Sequence, residues 1–184
     1  MLRLLPIVVV LALVGGAQVG ASVAAQSSAV GTDDVPTQAA AMQKVSFMLG
    51  RWAGSGWVIT QSGRQDFNQT EKVHKKVEGT VVTVDGEGRD PADHTRVVDS
   101  ALAVLTFNDV TGQYRWEAFS QGFITQAVPV VGDHSFQWSI QAPSTTIRYT
   151  LTFTATAWHE IGEVSLDGGT TWRQNFQMDL HRVR

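Results

Sequence analysis

The chain has 184 residues, a formal net charge of −3 at pH 7, five histidines and no cysteine. A mildly acidic chain lacks the basic face that nucleic acid requires, and without cysteine there are no disulfides, thiolate zinc sites or thiol catalysis. About 150 folded residues support one domain around one sizeable core.

Arg3 is the only charge before Asp33. An apolar run follows it over residues 4–14, and then small residues continue to Ala25. A positive start, a short apolar centre and a small-residue exit predict a signal peptide over residues 1–25, cleaved after Ala24 or Ala25. Gly15, Gly16, Gln18 and Gly20 interrupt the run, which disfavours a membrane span of about 20 apolar residues. No cysteine follows to carry a lipoprotein anchor. The expected location is secreted or periplasmic. Residues 26–34 are small and polar and read as a disordered leader. Asp33 or Asp34 then caps a helix that has Pro36 in its first turn, runs to about Leu49 and is stopped by Gly50.

Beyond Gly50 the pattern becomes short β segments with turn punctuation. Ten are expected, at 52–60, 66–77, 79–86, 97–107, 112–120, 123–131, 134–141, 145–155, 158–166 and 171–183. The alternation is clearest where Ile147, Tyr149, Leu151 and Phe153 oppose Thr146, Arg148, Thr150 and Thr152. Phe136, Trp138 and Ile140 repeat it, as do Phe176, Met178 and Leu180. Period-2 alternation means strands with one buried face. Ten sequential strands joined by short turns predict an all-β fold, an up-and-down antiparallel barrel of about ten strands with a short N-terminal helix. Lys72, Lys75 and Lys76 read as a solvated edge.

Residues 165–172, SLDGGTTW, match the Asp box that recurs around sialidase propellers. Ten strands cannot build a propeller of at least four four-stranded blades, and the motif occurs once. It therefore reads as a turn in which Asp167 accepts backbone hydrogen bonds and Gly168 and Gly169 permit positive φ, with Trp172 flanking the loop. A four-residue loop sets a register of Glu163 with Gln174, Ile161 with Phe176 and His159 with Met178. That register turns His159 and Glu163 inward, and a one-residue slip reverses it.

The segment LGRWAGSGW, residues 49–57, resembles the G-x-W signature of calycins, the superfamily of lipocalins and fatty-acid-binding proteins. The resemblance implies that Trp52, beside Gly50, closes one end of a barrel, with a basic residue of the last strand across its ring. Arg182 is in phase for that role, and Arg over indole is a favourable cation–π pair. Gly54 and Gly56 let the first strand coil. With residues 101–119 and 158–184, the segment also resembles an uncharacterised bacterial family of exported, lipocalin-like proteins. That likeness implies a calycin-like barrel with a cavity for an apolar ligand, and no activity.

No nucleophile elbow or zinc motif occurs, so no catalytic or metal residue is assigned. Some ten-stranded calycins, the nitrobindins, hold haem through one histidine near the C-terminus, and GRWAGSG resembles their glycine-rich stretch. The haem candidates are His181, expected to face outward, and His159, inward only if the register holds. Otherwise no cofactor is expected. The candidate lumen residues are Trp116, Trp138, Tyr149, Phe153, His159, Glu163, Phe176 and Met178, since small-molecule sites are mainly apolar and aromatic with a few polar groups. Three functions stay open. They are a non-enzymatic binder of a small apolar molecule, an enzyme using His159 or Glu163 in the same lumen, and an interaction protein with an outer aromatic patch at Trp57 or Trp158. No nucleic-acid partner or membrane span is expected of the mature chain, which is read as a monomer or homodimer.

Overall fold

A computed structural model describes residues 35–184; the expected signal peptide and leader lie outside them. Helix α1 is Val35–Gln43, and a single 3₁₀ turn follows at Ser46–Met48. The expected helix thus ends early. Met42, Val45 and Met48 are each fully buried, and a spacing of three suits the 3₁₀ turn, in which i and i+3 eclipse. Tightening the chain there seats all three side chains on the end of the sheet. The Trp52 indole N–H donates to the Met48 carbonyl at 2.9 Å, tying the turn to the first strand.

Eleven strands follow: β1 Gly50–Thr60, β2 Gly63–Lys76, β3 Val81–Arg89, β4 Val97–Asn108, β5 Gln113–Ser120, β6 Phe123–Ala127, β7 Val130–Gly132, β8 Ser135–Ala142, β9 Thr145–Phe153, β10 Ala157–Ser165 and β11 Arg173–Val183. The segment expected at 123–131 is two strands, because Pro129 has no N–H to give to a ladder. All eleven belong to one antiparallel sheet in the order β6-β5-β4-β3-β2-β1-β11-β10-β9-β8-β7. Each pair is a sequence neighbour except β1 with β11, which joins the two halves of the chain. The sheet curls until β6 approaches β8, and no ladder joins its two ends among the described residues. Lys72 is flanked by β1 and β3 and is not at an edge, whereas Lys75 and Lys76 run past the end of β1 and pair with β3 alone.

The concave face carries the core. Phe67, Val73, Val82, Leu105, Phe136, Leu151 and Leu180 are buried there. At the helix-capped end, Arg182 lies over the Trp52 ring, 4.1 Å from its centroid. Its guanidinium also donates to the carbonyls of Leu49 at 2.5 Å and Ala155 at 2.9 Å. Gly50, at φ 129°, leaves the space that this guanidinium fills. Gly54 and Gly56 lie where β1 presses against the backbone of β11.

Candidate functional site

The strands that build the site present every second residue to the lumen. On β2 the inward phase runs Phe67, Gln69, Glu71 and Val73, so a carboxylate and an amide sit between two core residues. On β3 the facing positions include Gly86 and Gly88. A Cβ at Gly86 would come within 2.8 Å of the Glu71 carboxylate, and one at Gly88 within 2.9 Å of Gln69. The two glycines are therefore the space into which the polar side chains of β2 fold. Asp99 from β4 is buried beside them and accepts from the Ser120 hydroxyl at 3.0 Å and the Gln121 amide at 3.1 Å. On the opposite wall β10 contributes Trp158 and Glu160.

These residues enclose a cavity of about 120 Å³. Trp116, Trp138, Tyr149, Phe176 and Met178 line it, as expected of the inward phases, together with Phe67, Leu151 and Trp158. Tyr149 stacks on Trp138 with centroids 4.5 Å apart and planes at 17°, and Trp116 meets Trp138 at 5.9 Å. Phe153 is buried but lies toward the capped end, against Phe47, Trp52 and Trp158, and does not line the cavity. A larger groove of about 610 Å³ crosses the outer face over Lys72, Asp85, Leu102 and Phe119. It is open to solvent, whereas the lumen holds buried polar groups, and so the lumen is the candidate site.

Besides Phe153, two expected lumen residues lie elsewhere. The loop register holds for Glu163 with Gln174, but a β-bulge follows, and beyond it Gly162 pairs with Phe176, Glu160 with Met178 and His159 with Asp179. Asn175 is the extra residue on β11. The bulge supplies the one-residue slip, so His159 and Glu163 face outward and Glu160 takes the inward place. His159 Nδ1 meets Asp179 Oδ1 at 2.5 Å. Glu163 accepts from Arg148 at 2.7 Å, and that guanidinium lies 4.0 Å from the centre of the Trp172 ring. His181 pairs with Ala53 and is exposed. Among the described residues no histidine lines the cavity. Trp158 is 3% exposed and forms no outer patch. Trp57 is half-buried under Arg64.

The turn at 165–172 is closed by its own hydrogen bonds. Asp167 Oδ1 accepts from the backbone N–H of Thr170 and Thr171 and from the Ser165 hydroxyl, and Asp167 Oδ2 accepts from the Thr171 hydroxyl. These bonds, those from Thr171 foremost, lower the carboxyl to about 2. The Trp172 indole N–H donates to Gly169, and Gly168 takes a φ of 71°.

Inside the lumen the electrostatics run the other way. Burial raises Glu71 from its ordinary 4.5 to about 8, against the hydrogen bond from Gln69 and with help from the charges of Asp99 and Asp85. Burial likewise raises Glu160 to about 8, with help from Glu71; the nearby Trp158 indole works against it without forming a hydrogen bond. Desolvation also pushes the Tyr149 hydroxyl up. Glu71 Oε2 and the indole nitrogens of Trp116 and Trp158 are buried without hydrogen-bond partners. Sequence reasoning missed Gln69, Glu71, Asp99, Glu160, Gly86 and Gly88. The signal for the first two was present, since both share the phase of Phe67 and Val73.

Solved structures share this architecture, two of them as follows. Rv2717c from M. tuberculosis superposes with a TM-score of 0.59 at 16% identity, over 78% of this chain and 98% of that one. The S-type phycobiliprotein lyase CPES from Guillardia theta does so with a TM-score of 0.55 at 8% identity, over 83% and 99%. The fold is a calycin-like barrel. Identities this low establish the barrel and leave its chemistry to the residues of this chain. No family model and no curated protein matches the sequence.

Proposed function

We propose that this barrel is an exported, non-enzymatic binder of a small organic molecule, held in its lumen. One observation carries the reading: a cavity walled by stacked aromatic rings contains buried polar atoms with no partner in the protein. An unpaired buried donor or acceptor costs roughly 1–3 kcal/mol, and a bound molecule that pairs with it recovers that cost. The volume of about 120 Å³ sets the scale. A cavity of roughly 150 Å³ accommodates benzene, so the ligand has about that size unless side chains swing aside. The carboxyls influence one another across the lumen and lie among aromatic rings and amide and hydroxyl donors, a lining that suits binding. Export rests on the signal peptide expected over residues 1–25.

Native mass spectrometry on protein secreted from a bacterial host, with an absorption scan from the ultraviolet through the visible, tests this. The expected result is a mature mass beginning at Ala25 or Gln26 and a small adduct lost on denaturation. A clean mass, with no shift in melting temperature from a panel of small aromatic and cationic compounds, overturns lumen binding. A second reading is an interaction protein, favoured by exposed apolar side chains on and beside the sheet ends: Phe123, Ile124, Val128 and Val130. It predicts concentration-dependent self-association that Ile124→Lys abolishes.

A further inference from the structure

The carboxyl groups of the lumen have no basic counterpart among the described residues that line it. Glu71, Asp99 and Glu160 are 7%, 6% and 8% exposed, and no lysine, arginine or histidine lines the cavity among the described residues. Buried carboxylates are ordinarily paired with a cation or a metal. Here no described set of three carboxyl or imidazole groups converges closely enough to hold a metal ion. The acidic groups are spread over β2, β4 and β10, with aromatic faces between them. Such an arrangement suits a diffuse organic cation better than a point charge, because the negative face of an aromatic ring attracts an ammonium and the carboxylates complete the neutralisation.

We propose that the barrel selects a small organic cation, an amine or quaternary ammonium whose apolar body rests against Trp116, Trp138 and Tyr149 and whose charge faces Glu71 and Glu160. The assignment rests on the lumen-binding reading and names its ligand class. Glu71 is the anchor. Its Oε1 accepts from Gln69 at 2.8 Å, while its Oε2 is buried with no partner. Gly86 leaves open the space beside that carboxylate, which a Cβ there would fill. Asp99 is already bonded to Ser120 and Gln121 and acts through its charge.

Proton linkage follows from the same groups. Glu71 is surrounded by Gln69 on its own strand, Gly86 on β3 with Asp85 beyond it, and Asp99 on β4; Glu160 is surrounded by Trp158 and, across the lumen, Tyr149 and Glu71. None of these is basic. With both carboxyls raised to about 8, the empty site is largely protonated at pH 6. A cation that binds there displaces a proton to solvent, so its affinity rises with pH up to about 8.

Choline is a suitable probe, since its charge cannot titrate, and dimethylbutanol is its neutral carbon isostere. Titration calorimetry on the wild-type protein at pH 6, 7 and 8, in buffers of different ionisation heat, reads both affinity and protons released. The expected result is choline binding at least about ten-fold tighter at pH 8 than at pH 6, with proton release. Glu71→Gln and Glu160→Gln, which keep shape and hydrogen bonding, should each weaken choline about ten-fold at pH 8 and weaken dimethylbutanol far less. If dimethylbutanol binds and choline binds no tighter at pH 8, the cation assignment falls and lumen binding stands. If neither binds and the secreted protein carries no adduct, both fall. The pH profile and proton count use wild-type protein, so the test survives a variant that does not fold.

Discussion

Arg182 joins three segments distant in sequence, and its neighbours show what one side chain contributes. It covers the Trp52 ring and bonds the carbonyls that end the 3₁₀ turn and the β9–β10 loop. Arg182→Ala should cost about 1–3 kcal/mol, read as a lower urea midpoint. Arg182→Lys should recover only part of it, since an ammonium lacks the planar fork that reaches two carbonyls while stacking. This pair was legible through the G-x-W resemblance, which implies a basic residue of the last strand across the tryptophan ring, and Arg182 is in phase for it without knowing the register. Glu71 and Glu160 make the opposite contribution. Both have folded-state pKa values raised to about 8. Between about pH 5 and pH 8 the unfolded chain has lost these protons and the folded chain keeps them, so stability falls as pH rises through that window. Glu71→Gln should therefore raise the melting temperature by several degrees at pH 8 and change it little at pH 5, checked by thermal denaturation at the two pH values.

At the level of elements, the β10–β11 hairpin separates what a motif reveals from what it hides. The turn at 165–172 was readable because Ser, Asp, Gly and Thr at those spacings have only local partners to satisfy. Asp167→Ala removes the acceptor for two backbone amides and two hydroxyls. Hydrogen exchange at Thr170 and Thr171 should then speed up markedly while the β3 and β4 amides keep their protection. Because the Asp167 carboxyl is lowered to about 2, the turn's contribution is complete above the unfolded value near 4 and is lost only as pH falls through about 2. The register beyond the turn was not readable. Asn175 adds one residue to β11, and a single extra residue exchanges the two faces of β10. Nothing in the alternation of Phe176, Met178 and Leu180 announces it. This is why His159 looked like a lumen residue and Glu160 did not. The acidic site was missed for a related reason: a glutamate in an apolar phase reads as a solvent-facing residue until Gly86 opposite is known to make room for it.

At the scale of the whole molecule, fold class was legible because alternation and turn residues agree from Gly50 to Val183. The split of one segment at Pro129 and the unjoined sheet ends were not, since curvature depends on strand twist summed over the whole sheet. The first and last strands meet at the β1–β11 ladder in mid-sheet, while the sheet ends at a break within the chain, residues 128–129. A circular permutant that starts at Pro129 and joins Arg184 to Val35 through a flexible linker would run through its strands in spatial order, from β7 to β6. The one ladder that now requires nearly the full chain length to close would become local. Loop closure and contact order both favour that arrangement. Stopped-flow refolding should show the permutant folding faster than the parent, with its lumen intact. The natural order of the strands is, in this sense, the slower of two routes to the same surface.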